Sequence, residues 1–529
     1  MNFVKLFWII SLLTFSSLPH VFGQKFLIHA AKNVKDGILF TIDSDTLISE
    51  GFFPISYSKA RYELPEKDTL KKRNWVVRKL LKEHFVQLKG KNYLLAVDPL
   101  FEMNLGKEIL QKTYPYVYQN TRGFQAFGEV KGILSFYTAF YENQARFVDY
   151  QEEYFRSRGE YYPNSDGSLY SQQNAVVPNG GRTKPFKANA FDYASSTSYI
   201  RLTPIKQIAV QFGNQPRFFG WGHRSLLMSD NSFNFTHLDI DLEIVKGLNY
   251  SIIRGQQLNL FRKVYTNLIE KPYEKKGVGV HYLSYRVNPS FVIGLFESTI
   301  YLRDEAKSAQ RVNKYFYNPI IGVNTVVSRG QERNGMKNLI GLNSAWKFHP
   351  QHLVYLQFAS DDLKNFEYGF QVGYRLGNPF KIKNLHIQVE YNQASSRLYA
   401  AENKRMNYTH FNLPLAHTLG NDFKELIGRI SYKWKGIYID IEGVLFLTQQ
   451  PLAGKTTLFE SKSHSPVLQP TKTLNTNIEL GYELNPATQL RAFIGANYRI
   501  SKTDGAPRID YGTAFFGLRS SLRNQYFDF

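Results

Sequence analysis

Between residues 212 and 235 the chain gathers side chains suited to holding a sugar: Arg217, Phe218, Phe219, Trp221, His223, Arg224, Asp230 and Asn231. Sugar C–H faces stack on aromatic rings, and the hydroxyls need planar donors and acceptors nearby, so rings, guanidinium and carboxamide groups in one segment form a fitting mixture. Arg182, Lys184 and Lys187 add cations that would meet an acidic sugar. A plainer reading stays open, in which Gly220 and Gly222 shape a turn, the rings pack at a membrane interface and the loop charges are simply solvated. No G-x-S-x-G elbow, H-E-x-x-H pair or P-loop occurs, and the 12 histidines are scattered without metal-ligand spacing. The expectation is a binding protein rather than an enzyme, with no catalytic residue, metal or cofactor. A Ser–His–Asp set assembled from distant strands is the enzyme reading that motifs cannot address.

The elements that position these residues read as strands. In 365–376 the even positions Phe366, Tyr368, Phe370, Val372, Tyr374 and Leu376 are apolar, while Glu367, Gln371 and Arg375 alternate with them. The same rhythm runs through 385–392, 473–484 and 490–500. Period two over ten or more residues marks a strand with one apolar and one polar face, about the length that crosses a bilayer at a tilt. Further candidates lie at 99–106, 122–141, 198–203, 207–213, 237–245, 248–256, 278–287, 291–302, 339–348, 353–360, 426–435 and 437–447, a total of roughly 16–18 strands, within the range of single-chain barrels. Short turns at 348–352, 377–384, 435–436 and 485–488 alternate with long polar links at 393–424, 449–471 and 501–510, the asymmetry of periplasmic turns against extracellular loops. The fold expected is all-β: an antiparallel transmembrane barrel, with a soluble sandwich or propeller as the competitor.

Composition agrees. Aromatics make up 15% of the 529 residues, with 35 Tyr and 41 Phe, yet mean hydropathy is −0.35, as a wall facing lipid on one side and water on the other requires. No cysteine is present, which removes disulfide and thiolate chemistry. Residues 1–23 follow the plan of a secretory signal peptide. Residues 24–97 are expected to form a periplasmic segment whose amphipathic helix, at 65–88, covers or plugs the barrel, and 98–529 the outer-membrane barrel itself. The closing Tyr526-Phe527-Asp528-Phe529 resembles the signal that barrel-assembly machinery reads. A net charge of +21 favours acidic partners, either uronic-acid polysaccharide or lipopolysaccharide phosphate beside outer-membrane lipid. Nucleic acid is not expected, for no recognised binding motif is found.

Residues 212–235, FGNQPRFFGWGHRSLLMSDNSFNF, also resemble the central signature of the capsule-assembly Wzi family, with Trp221, Gly222, Ser225, Leu226, Leu227, Ser229 and Asn231 at the W-G-x-x-S-L-L-x-S-x-N places. FYENQARF at 140–147 and GGRTKPFKANAFDYASS at 180–196 are similar to a Bacteroidetes branch that includes RemB-type gliding-motility proteins. The resemblance implies an 18-stranded barrel with a periplasmic helical plug and a lectin-like role in holding capsular or extracellular polysaccharide. A gliding or adhesion accessory role and an open porin are the alternatives.

Overall fold

The computed structural model describes residues 27–28, 47, 51–53, 55–56, 74–111, 116–163, 170–263, 272–303, 313–451, 468–520 and 524–529. The expected signal peptide lies outside the described residues. A single sheet dominates; four of its 22 strands, Val86–Lys89, Glu160–Pro163, Tyr170–Gln173 and Lys184–Phe186, are short flanking pieces. The other 18 close on themselves. They run β1 Tyr93–Glu108, β2 Tyr116–Val130, β3 Leu134–Arg146, β4 Ala190–Ile205, β5 Ile208–Gln215 and β6 Phe235–Val245. Next come β7 Leu248–Arg262, β8 Tyr273–Asn288, β9 Phe291–Leu302, β10 Met336–His349, β11 His352–Asp362 and β12 Glu367–Gly377. The circuit ends with β13 Leu385–Ala394, β14 Phe423–Trp434, β15 Ile437–Pro451, β16 Leu468–Asn485, β17 Leu490–Thr503 and β18 Ile509–Arg519. Every wall strand pairs antiparallel with its neighbours, and β18 closes the ring on β1 from Thr513 opposite Glu108 to Arg519 opposite Glu102. Closure satisfies every strand edge, the condition for spanning lipid with strands.

The alternation lands as the sequence implies. Along β16, Leu474, Ile478, Leu480 and Tyr482 are exposed while Thr473, Asn475 and Glu479 are buried; along β12, Val372 is exposed while Gln371 and Arg375 are buried. Greasy side chains outside and polar ones inside are the inverse of a soluble core, and this is an outer-membrane barrel.

Four details differ from expectation. Residues 122–141 are two strands, β2 and β3, because Lys131 (φ 52) and Gly132 (φ 63) turn the chain back. The helix expected over 65–88 is described only as α1, Trp75–Leu81; Val86–Lys89 is a strand on β1. The Asp98 carboxylate accepts from the Phe85 amide at 2.9 Å and lies 2.7 Å from His84 Nδ1, which ends the helix and turns the chain onto the wall. The wall begins at Tyr93, ahead of residue 98. The link between β17 and β18 is only 504–508. α1 itself rests on the short-turn end, where Asn485 Nδ2 donates to Lys79 O and Glu83 O at 3.0 and 3.1 Å, and its Trp75, Val76 and Leu80 are exposed. Two further helices, α2 Asp149–Ser157 and α3 Val323–Ser328, lie in long links.

Candidate functional site

The link between β5 and β6 turns into the barrel instead of standing away from it. Its anchor is Glu390 on β13, wholly buried. The Glu390 carboxylate accepts from the backbone N–H of His223 (2.6 Å) and Arg224 (3.0 Å), from the Tyr355 hydroxyl (2.6 Å) and from Asn392 Nδ2 (2.9 Å). A Cβ on Gly222 would stand 2.7 Å from Glu390 Oε2 and 2.7 Å from Arg224 O, so only glycine lets the backbone come this close. Gln357 on β11 donates to Phe219 O at 2.8 Å and accepts from Leu226 N at 2.8 Å. Ser225 Oγ donates to Phe219 O and accepts from Leu227 N at 3.1 Å.

Other segments lock onto this loop. Ser229 N donates to Leu415 O at 2.7 Å and Asn231 Nδ2 to Pro414 O at 3.3 Å, which ties it to the link between β13 and β14. From the N-terminal part, Phe52 and Phe53 pair with Phe219 and Phe218, and the Gly220 amide donates to Gly51 O at 2.7 Å. The C-terminal tail enters too: Asn524 Nδ2 and the Tyr526 hydroxyl donate to Asp230 at 2.8 and 2.9 Å, and Phe529 stacks on Tyr154 at 3.7 Å. The closing residues thus lie inside the wall and do not extend its last strand.

The structure brings most of the sequence candidates together, in roles more structural than expected. Phe218, Phe219 and Trp221 are buried, Phe219 and Trp221 completely, and Trp221 packs with Leu47, Val292, Ala345, Leu353 and Tyr355. Arg217 pairs with Asp239 on β6. Arg224 bonds Asp528 at 2.8 Å and Glu425 at 3.2 Å. Burial alone would lower the Arg224 pKa, but Asp528 and Glu425 hold it above its ordinary value, so the cation persists. Asp230 holds the tail, and the Asn231 carbonyl accepts from Asn179 N at 3.1 Å. Arg182 lies apart, bonded to Glu160 at 2.9 Å, and Lys184 and Lys187 are exposed.

Residues the sequence reading missed line a cavity of about 380 Å³ between β14–β18, β1–β3 and the tail, inside the ~300–1,000 Å³ span of small-molecule sites. Carboxylates of Glu102, Asp440, Glu442, Glu479 and Asp528 face guanidiniums of Arg146, Arg429, Arg491 and Arg519, with Asn104, Gln119, Asn475, Asn477 and Asn497 among them. Nothing marks these residues in sequence except their place on the polar phase of each strand. At its border His223, Glu442 and Asp528 bring possible metal-ligand atoms within 4.8 Å of one another. Arg224 and Arg429 already balance Asp528 and Glu442, so the cluster is a neutralised ion-pair knot.

One loop contact carries a pH dependence. His410, in the link between β13 and β14, accepts from Leu258 N at 3.0 Å and has Nε2 3.0 Å from Asn234 O. Burial, with a smaller push from Lys276, lowers its pKa to about 3. A depressed folded pKa means the neutral ring stabilises the loop above the ordinary value near 6.5, and that contribution fades as pH falls below it. Amide protection factors in residues 395–422, corrected for the intrinsic pH dependence of exchange, are expected to fall between pH 7 and 5 in the wild type but not in His410→Gln; an equal change in both would refute the assignment.

With the geometry in place, the comparisons are narrow in sequence and broad in shape. No protein family and no curated protein matches the chain. Among solved structures it is similar to Wzi of Escherichia coli, described as an outer-membrane protein involved in group 1 capsule assembly and a carbohydrate-binding β-barrel. That match has 12% identity and a TM-score of 0.53, and covers 94% of this chain and 99% of Wzi. OccK3 of Pseudomonas aeruginosa aligns at 12% identity over 80% of this chain and 94% of its own, TM-score 0.41. OccAB2 of Acinetobacter baumannii aligns at 12% over 80% and 97%, TM-score 0.40. At such identity the likeness to Wzi is one of fold.

Proposed function

We propose that this protein is a lectin-like outer-membrane barrel that binds and anchors acidic capsular or extracellular polysaccharide at the cell surface. The observation carrying the reading is the filled lumen. Barrels of 16–18 strands ordinarily leave an aqueous channel; here two inward loops, residues 51–53 and the tail occupy that space. A wall so blocked is better suited to presenting a surface than to conducting a solute. The long-link end displays the exposed cations Lys184, Lys187, Arg397, Lys404, Lys472 and Lys502, which would draw an acidic polymer from solution. That a carbohydrate-binding barrel shares the fold is in keeping with this use.

Purified full-length protein is expected to bind the producing cell's acidic polysaccharide, more weakly as salt rises, and at least fivefold more weakly in Lys184→Glu/Lys187→Glu. Cells lacking the protein should shed polysaccharide into the medium. Normal cell-bound polysaccharide would overturn the reading, and defective spreading with polysaccharide retained would point to a gliding or adhesion accessory instead.

A further inference from the structure

The outer face of the wall carries a polar patch where lipid should lie. On β7–β9, Ile253, Val280 and Phe296 point into the interior cluster. The residues that follow them, Arg254, His281 and Glu297, therefore point outward, on the same phase as the exposed Tyr285 and Leu295. Phe291 starts β9 opposite the exposed Trp346 of the short-turn rim. From there to Glu297 is about 20 Å of strand, or about 15 Å up an apolar band about 25 Å tall. A guanidinium and a carboxylate bare to acyl chains at that depth would be costly. The link between β9 and β10 covers them. Its residues 314–330 fold back down the outside of the wall, through one tight turn at Lys314–Tyr317 and then α3.

The covering contacts fall largely on backbone. Arg254 donates to Phe316 O and Asn318 O, the Tyr250 hydroxyl to Pro319 O at 2.7 Å, and the Tyr301 hydroxyl to Tyr315 O at 3.0 Å. Glu297 accepts from the amides of Gly322 and Thr325, both at 2.9 Å. In water a link needs no such help, since solvent satisfies its carbonyls. Irregular backbone in hydrocarbon persists only where protein groups meet it. The residue pattern agrees: 315–328 hold no charged side chain, and Lys314 and Arg329 bracket them. Tyr317, Ile320 and Val326 turn outward at 71%, 59% and 76% exposure, continuing the apolar face that Leu295 and Leu342 present on the wall beside them. Long cationic side chains at both ends can reach the headgroups while the apolar stretch between them stays below.

We infer that residues 315–328 form a re-entrant strap in the outer leaflet, whose Tyr317, Ile320 and Val326 contact lipid acyl chains. This assignment does not depend on the polysaccharide reading, which concerns cations displayed above the membrane.

The chain has no cysteine, so Ile320→Cys and Val326→Cys can each carry a nitroxide with no other change. In full-length protein folded into phosphatidylcholine vesicles, power-saturation EPR compares collisions with oxygen, which concentrates among acyl chains, and with a nickel chelate, which stays in water. The oxygen-to-nickel ratio at both strap sites should match that of Leu480→Cys on the lipid face of β16 and exceed that of Lys184→Cys at least fivefold. Retention of the folded band on unheated gels shows that each variant is intact. Ile320 precedes α3 and Val326 lies within it, so one misfolded variant does not spoil the result. Strap ratios equal to that of Lys184→Cys would place the segment in water and overturn the inference. Shielding from both reagents, with spin–spin broadening that disappears on dilution with unlabelled protein, would also overturn it and show that a second copy covers the strap. Polysaccharide binding at the long links would survive either failure.

Discussion

Glu390→Ala is expected to turn a silent barrel into a conducting one. The carboxylate gathers two adjacent backbone amides of the inward loop, the Tyr355 hydroxyl and Asn392 at a position closed to solvent. Removing it strands those donors at a cost of about 1–3 kcal/mol each for the ones that find no substitute. The barrel wall loses nothing comparable, because its ladder bonds are backbone bonds untouched by the change. The loop should therefore leave its seat before the wall opens. In planar bilayers the variant should show steady ion conductance, while Glu390→Gln, which keeps the shape and one acceptor, should show flickering openings of smaller mean current. A folded Glu390→Ala barrel as silent as wild type would mean that the anchor is elsewhere.

The second large effect concerns the tail. Arg224 is the shared counter-ion of Glu425 and Asp528, each within 3.2 Å. Arg224→Leu leaves buried carboxylates without their cation, a change that typically costs about 3–5 kcal/mol. Asp528 lies in the tail that follows β18, so the molecule can relieve the cost by releasing residues 524–529. Carboxypeptidase should then remove Phe529 from the variant at least tenfold faster than from wild type. Arg224→Lys should fall between, since an ammonium keeps the charge but not the fork that spans two carboxylates. Unchanged digestion in Arg224→Leu would show that aromatic stacking of Phe529 on Tyr154 holds the tail without the ion pairs.

The wall was legible in the sequence because each wall residue meets either lipid or lumen, and Leu474, Ile478 and Leu480 against Asn475 and Glu479 record that choice directly. Where one local signal resembled another, the reading slipped. Leu88, two residues from Val86 on the short strand, also fits the helical spacing of Leu81 and Phe85, and Asp98 on the wall decides between the two. The loop at 216–234 was visible as a dense motif, but not its direction. Trp221 on an outer rim and Trp221 under Tyr355 are the same letters, and the partners that draw it inward, Gln357 and Glu390, lie more than 130 residues away. The spacing of the motif is explained by those contacts: Gly222 clears Glu390, Ser225 closes a turn and Asn231 ties to Pro414. The cavity was the least legible feature, because its lining comes a few residues at a time from eight strands, the link after β3 and the tail.

The most direct test of an occluded, surface-presenting barrel is the conductance of the unaltered protein in a planar lipid bilayer at 1 M salt. Insertion verified by detergent-resistant recovery from the membrane should be accompanied by no steady current. Stable, ohmic steps on insertion would contradict the account and make the protein a channel.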